Sequence, residues 1–198
     1  MKIFDSTLSF ALDYRSKEFS IILLILGDKK PQVESWEPFK KNRADEEQIR
    51  KWFSDAKTNI GILTGKISCI VGFDIDGCKA KKCFDQLIVR IADENITIVV
   101  KNTMKIMTGS GNVNVVLGIK PKEFSDDSKE TKSTVLWSSK DAHSEIRLKG
   151  EGGYIVAPPS IHPNGKPYEF VNGNSISVIT KEQLQKLIAE FKNIRNNV

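Results

Sequence analysis

Asp74 and Asp76 stand one residue apart at the end of the stretch Ile67-Ser68-Cys69-Ile70-Val71-Gly72-Phe73, and Gly77 follows them. On an extended strand alternate side chains share a face, so both carboxylates point the same way, roughly 7 Å apart along the chain. Phe73 and Ile75 point the other way, into whatever packs behind the sheet. Two like charges side by side cost stability unless a cation sits between them. Paired carboxylates converging on divalent ions are what two-metal phosphoryl transfer requires. A strand running into an Asp-Gly turn accounts for the same residues without a metal, because Asp-Gly is a frequent hairpin turn. On the pair alone both readings stand.

Other chemistry is sparser. Ser160 and His162, two apart on an extended segment, have the residue types of a hydrolase, but no acid is spaced to orient the histidine and no nucleophile elbow is present. His143 lies in a polar loop beside Asp141 and reads as solvated. Cys69, Cys78 and Cys83 are an odd count without CxxC spacing, and with two histidines in the chain they argue against a zinc site or a disulfide framework. With no secretory pattern at Met1, a reduced, cytoplasmic setting is expected. The longest apolar run, Phe19 to Leu26, is too short to span a bilayer. Thirty basic residues against twenty-five acidic give +5 over 198 residues, which favours a polyanionic partner only weakly. Lys40, Lys41 and Arg43 are the densest basic group near a helix start and are candidate nucleic-acid contacts, against a solvated loop as the plainer account.

The elements that must position these residues read as a mixed α+β chain. Thr7 to Tyr14 has helical spacing, with Asp5 or Ser6 placed to cap it. Ser20 to Leu26 reads as a buried strand, and Trp36 with Phe39 as a plug for the turn at Lys29-Lys30-Pro31. Asp45-Glu46-Glu47-Gln48 is a capping box opening a helix to about Ser54. Asn59 to Gly65 is a short strand, and Gly65-Lys66 suggests a hairpin to the Asp74/Asp76 strand. Lys79 to Ala92 reads as a helix, Ile96 to Val100 as a strand, and Val113 to Leu117 as a strand after the turn Gly109-Ser110-Gly111-Asn112. Pro121 to Ser133 is an aperiodic loop. Val135 to Trp137, Glu145 to Leu148 and Tyr154 to Ala157 are further strands. Thr180-Lys181-Glu182-Gln183 is a second capping box, opening a helix over about 181–195. No internal repeat or long linker divides the chain, so 1–198 reads as one domain.

The order of these pieces carries more than any one of them. Lys30-Pro31 and Trp36 precede the helix ending Ile49-Arg50-Lys51-Trp52-Phe53, then come Asn59 to Gly65, Phe73-Asp74-Ile75-Asp76 and Thr108-Gly109-Ser110-Gly111. Gly152-Gly153-Tyr154-Ile155-Val156-Ala157-Pro158-Pro159-Ser160-Ile161-His162-Pro163-Asn164-Gly165 closes the series. Over about 11–170 this resembles the bifunctional DNA primase/polymerase (prim-pol) domain of the archaeo-eukaryotic primase superfamily.

The resemblance implies a primase-polymerase fold, with a small α/β module packed on an RRM-like antiparallel sheet and the active-site cleft between them. It implies template-directed nucleotidyl transfer with Mg²⁺ or Mn²⁺ in a two-metal site, acting on a DNA template or primer and nucleoside triphosphates. Asp74 and Asp76 match the first motif and would hold the metals. Ser110 and Gly111 match the second-motif turn, but Asn114 stands where the family has a histidine that contacts the nucleotide. An asparagine can still donate a hydrogen bond, yet it carries no positive charge and transfers no proton. The third motif supplies one more carboxylate before Gly-Gly-Tyr. The commonest spacing lands on Arg147, so Glu145, sharing its strand face, is taken as the third ligand, with a strand shift or bulge absorbing the difference. Glu151 is the reserve, and a surface ion pair with Arg147 or Lys149 accounts for Glu145 without a metal.

Ser160 and His162 border the nucleotide site by the same likeness, as contacts to the triphosphate or sugar, against a rigid loop that His162 merely caps. Lys101, Arg147, Lys149 and Lys166 are candidate phosphate or template contacts, Arg147 among the nucleotide-binding set. Relatives often carry a helical template-binding region and a helicase, so such a partner, in cis or trans, is implied. A nucleotide- or single-strand-binding module that has lost turnover is the alternative that Asn114 motivates, and a phosphodiester hydrolase using the same carboxylates is a third.

Overall fold

A computed structural model of the chain describes residues 7–54, 58–124, 131–141, 143–173 and 175–196. It is a mixed α+β structure built on two antiparallel sheets. The smaller has three strands: β1 (Ile21–Ile25), β2 (Thr58–Leu63) and β8 (Tyr154–Ala157), in the order β1-β2-β8. The larger contains β3 (Ile70–Asp76), β4 (Lys105–Met107), β5 (Val113–Gly118), β6 (Thr134–Ser138), β7 (Glu145–Lys149) and β9 (Glu169–Phe170). Its order is β6-β7-β3-β5-β4-β9, so the aspartate strand lies inside the sheet with β7 on one side and β5 on the other.

Strand alternation divides the large sheet. Val71, Phe73 and Ile75 of β3, Val115 and Leu117 of β5, and Ile146 and Leu148 of β7 share one face and one core. Three helices cover that face: α3 (Cys78–Arg90), α4 (Glu94–Asn102) and α5 (Lys181–Asn196). Phe73 meets Phe84 of α3 at 5.9 Å between ring centroids and Phe191 of α5 at 6.1 Å. The α5 start is a reciprocal capping box: Gln183 N–H donates to Thr180 Oγ1 at 3.2 Å, and Thr180 N–H to Gln183 Oε1 at 2.9 Å.

On the opposite face the strands change character along their length. Ile70, Val116 and Ile106 are apolar and share a core with the small sheet and with α1 (Thr7–Ser16) and α2 (Glu46–Trp52). A Cβ on Gly72 would lie 3.0 Å from Ile155 Cγ2, so its lack of a side chain lets β8 cross close over β3. Beyond Gly72 the two sheets part, and the same face presents Asp74, Asp76 and their neighbours.

Two expected elements differ. Ile96 to Val100 is not a strand but lies in α4: Asp93 caps it by accepting from Ile96 N–H at 3.2 Å, and Ile96 and Val100, four apart, are buried while Ile98 is 48% exposed. Helical spacing of the burial outweighs the β-branched composition. The Gly65-Lys66 hairpin is also absent, because β2 bonds to β1 and β8 and β3 belongs to the other sheet. A single bridge, Gly65 to Ile70, joins them across a turn in which Cys69 has φ 53°. Asp76-Gly77 likewise leads into α3, not into a hairpin. Asp45 does cap α2, accepting from Gln48 N–H at 2.8 Å. The expected cap at Asp5 or Ser6 lies outside the described residues, as does 125–130 of the expected loop, which opens with a short 3-10 turn, Pro121–Glu123. No described helix is long and apolar enough to cross a membrane.

Candidate active site

The register of the large sheet decides which side chains meet. Asp74 lies opposite Asn114 on β5 and opposite Arg147 on β7, while Asp76 lies opposite Glu145 and Gly72 opposite Lys149. Directly opposed residues share a face, with Cβ atoms about 4.5–5.5 Å apart. Asp74, Asp76, Glu145, Arg147, Lys149 and Asn114 therefore form one polar patch on the open face. The β3–β7 pairing is unbroken from Gly72–Lys149 to Asp76–Glu145, so Glu145 reaches this row without the expected bulge. The register irregularity falls on the far side of β7, between Val135 and Trp137 of β6.

Asp74, Asn114, Arg147 and Lys149 floor a cleft of about 350 Å³, and Asp76 and Glu145 continue the same sheet face outside its lining. The opposite wall of the cleft comes from β8 and the Gly152-Gly153 turn, which Thr64 fixes: its N–H donates to Gly153 O at 3.0 Å and its hydroxyl to Gly150 O at 2.7 Å. Tyr154 supports the rim. Trp36 packs edge-on against its ring at 5.3 Å, and its hydroxyl donates to the Lys29 carbonyl at 2.8 Å, placing Lys29 on the cleft.

Each carboxylate has found its own donor. Asp74 pairs with Lys149 at 3.9 Å, Glu145 with Arg147 at 2.9 Å, and Asp76 accepts from the Asn112 amide. Among the described residues no three His, Cys, Asp or Glu side chains converge as a metal-binding group. Burial pushes the Asp74 carboxyl above its ordinary range, aided by Asp76 and opposed by Lys149, Lys29 and Arg147. Burial also pulls the Lys149 ammonium down, against the attraction of Asp74. By residue type the donors suit a hard divalent cation, since Asp74, Asp76 and Glu145 carry carboxylates on one sheet face, although their side chains are not gathered on one point.

The second-motif turn is tied to this patch. Asn112 accepts from Gly77 N–H at 3.0 Å while its amide donates to Asp76 and, at 3.1 Å, to Ser110 Oγ. Ser110 Oγ also meets Thr108 Oγ1 at 2.8 Å, and the Gly111 carbonyl accepts from Lys81. Asn114 faces the cleft at 5% exposure.

The other expected residues lie elsewhere. Ser160, 1% exposed, turns its hydroxyl to Ile60, whose N–H donates to it at 2.8 Å, and does not line the cleft. His162 caps its own loop, Nδ1 accepting from Asn164 N–H at 3.3 Å, with its ring 5.8 Å from that of Tyr168. Asn164 in turn donates to Gly109 O at 2.9 Å, so the loop rests on the second-motif turn, where a Cβ on Gly109 would collide with His162 and the Lys166 carbonyl. Glu151 accepts from Lys66 N–H at 2.8 Å. Of the basic group, Lys40 pairs with Glu37 and covers Trp36 at 4.4 Å from the ring, and Arg43 donates to the Glu18 and Ile67 carbonyls at 2.7 and 2.8 Å. Lys41 is exposed. Sequence reasoning missed Lys29, Asn112 and Tyr168. Asn112 follows from the Asp74–Asn114 register, which carries it to Asp76 once the strands are paired; nothing local marks the other two.

These features define a two-layer site in which carboxylates and cations share one open sheet face. A profile of the bifunctional DNA primase/polymerase N-terminal domain matches residues 11–187, and the chain belongs to that family. The match runs beyond Phe170 into the first turns of α5. No curated protein matches the chain.

Proposed function

We propose that the protein is a nucleotidyltransferase that makes or extends primers on a DNA template. The observation that carries this is the row Asp74, Asp76, Glu145, Arg147 and Lys149 on one sheet face of a prim-pol family chain, with Asp74, Arg147 and Lys149 lining the cleft. Lys29, Arg147 and Lys149 would take the triphosphate, Arg147 through the guanidinium edge not engaged by Glu145. Asn114, opposite Asp74, would donate to a phosphate oxygen without adding charge. Gly72 lets β8 approach β3, and with the Gly152-Gly153 turn it would set the width of the cleft for the nucleotide. Asn112 would hold Asp76 in place as the nucleotide enters. Mg²⁺ or Mn²⁺ held by Asp74, Asp76 and Glu145 would supply activation of the primer hydroxyl and neutralisation of the triphosphate. Lys41, the exposed member of the basic group, is assigned to the template.

A binding module without turnover is the second reading, and Asn114 favours it, since an amide cannot supply the charge of an imidazolium. Incorporation of labelled nucleotide on primed and unprimed templates, with Mg²⁺ and with Mn²⁺, separates the two. Extension supports the transferase, and nucleotide binding without extension supports the binding module. Cleavage of the template without incorporation supports a hydrolase instead. A helicase partner remains part of the proposal, testable by co-purification.

A further inference from the structure

Among the described residues the Tyr154 hydroxyl makes one hydrogen bond, donated at 2.8 Å to the carbonyl of Lys29, 125 residues earlier in the chain. Tyr154 opens β8, and Lys29 lies in the turn that follows β1. β2 stands between those strands, so the bond ties the two outer strands of the small sheet across the middle one. The neighbours of Lys29 in the turn are held by other donors and acceptors. The Asp28 carboxylate accepts from the Lys29 and Lys30 N–H groups at 2.6 and 3.3 Å. The Asp28 carbonyl accepts from the buried Asn59 amide at 3.0 Å, and the Lys30 carbonyl from Ile25 N–H at 3.0 Å. Between them, the Lys29 carbonyl has only the tyrosine among the described residues.

What the turn presents is the Lys29 ammonium. Its side chain is exposed, lines the cleft and pairs with no carboxylate among the described residues. The other cations lining the cleft, Arg147 and Lys149, stand on the large sheet, and each is engaged by a carboxylate, Glu145 and Asp74 respectively. Lys29 is thus the uncommitted positive charge of the cleft, and it comes from the opposite sheet. A lysine carries its charge on a flexible stem, so an exposed turn fixed in advance leaves less freedom to lose when an anion arrives. The tyrosine supplies that fixing.

Resting on the nucleotidyltransferase reading, we infer that Tyr154 is a positioning residue for nucleotide binding: its hydroxyl fixes the backbone of Lys29, so that the ammonium meets the triphosphate from the wall opposite Arg147 and Lys149. The hydroxyl acts through Lys29, so its effect on binding disappears when the ammonium is removed.

The test is a double-mutant cycle read by calorimetric titration of the full chain, with Mg²⁺ and without template, by ATP and by 2′-deoxyATP. Tyr154→Phe keeps the ring against Trp36 and removes only the hydroxyl. With whichever nucleotide binds the unmodified protein more tightly, Lys29→Gln should weaken binding about tenfold and Tyr154→Phe about threefold. The double variant should bind as Lys29→Gln does, whereas a merely structural bond would cost the same factor in both backgrounds. Undiminished binding by Tyr154→Phe or by Lys29→Gln, or losses that multiply in the double variant, overturns the assignment while leaving the nucleotidyltransferase reading intact. Failure of the unmodified protein to bind either nucleotide overturns both.

Discussion

Replacing Phe191 by alanine tests how the aspartate strand is held. Phe191 is 0% exposed on α5, and its ring lies 6.0 Å from Phe84 and 6.1 Å from Phe73. Phe73 stands between Gly72 and Asp74 on β3. Truncating a buried Phe costs about 3–5 kcal/mol, and the loss of two aromatic contacts places this site near 4 kcal/mol. Against a total stability of about 5–15 kcal/mol, that is a large fraction. With a urea slope of about 3 kcal/mol/M, the midpoint should fall by about 1.3 M at unchanged slope. Urea titration followed by far-ultraviolet circular dichroism and tryptophan fluorescence measures it. Phe191→Leu keeps most of the apolar volume and should recover about half of the loss. A shift under about 0.3 M for Phe191→Ala would refute the packing of α5 behind Phe73.

Asn114→His restores a residue able to carry charge opposite Asp74 and should raise turnover in an incorporation assay; no gain, together with tight nucleotide binding by the unmodified protein, would favour the binding module. Lys41→Glu should weaken primed-template binding and reduce the log–log salt slope by roughly 0.7–0.9 for one lost phosphate contact, whereas Arg43→Glu should chiefly lower the unfolding midpoint because it frees the Glu18 and Ile67 carbonyls. An unchanged slope for Lys41→Glu would move the template to the Lys149 and Lys166 face. Asp93 is held below the ordinary carboxylate range by the Lys186 hydrogen bond and by Ile96 N–H. Its folded pKa is depressed, so its contribution is present above about pH 4 and is lost as pH falls through the folded value. Asp93→Asn should therefore flatten the urea midpoint below about pH 4, and identical pH profiles would refute the linkage.

Residue periodicity made much of this legible in advance. Alternation along β3 is enough to send Phe73 and Ile75 to one side and Asp74 and Asp76 to the other. The two capping signatures place the starts of α2 and α5 because the cap is a local hydrogen bond. Ile96 to Val100 misled because its composition favours strand, while the spacing of Ile96 and Val100 and the Asp93 cap decide for helix. The false hairpin at Gly65 had another cause: strand adjacency in sequence does not reveal that β2 is already bonded on both edges, to β1 and to a β8 lying some ninety residues on. The cleft shows the same limit. Asp74, Arg147 and Asn114 could be placed on strands from the sequence, but their alignment depends on register across the sheet. Lys29 enters through a hydrogen bond from Tyr154, and Tyr168 through the far edge of the sheet. Neither contact leaves a local trace.

Incorporation of labelled nucleotide into a primed template, with Mg²⁺ or Mn²⁺, compared between the unmodified chain and Asp74→Ala/Asp76→Ala, bears most directly on the site. Metal-dependent extension is expected of the unmodified chain and none of the double variant. The variant should stay folded, since Asp74 is half-buried and Asp76 exposed on the open face, away from the core that Phe73 and Ile75 enter. Equal extension by a folded double variant would contradict the assignment of Asp74 and Asp76 as the centre of the active site.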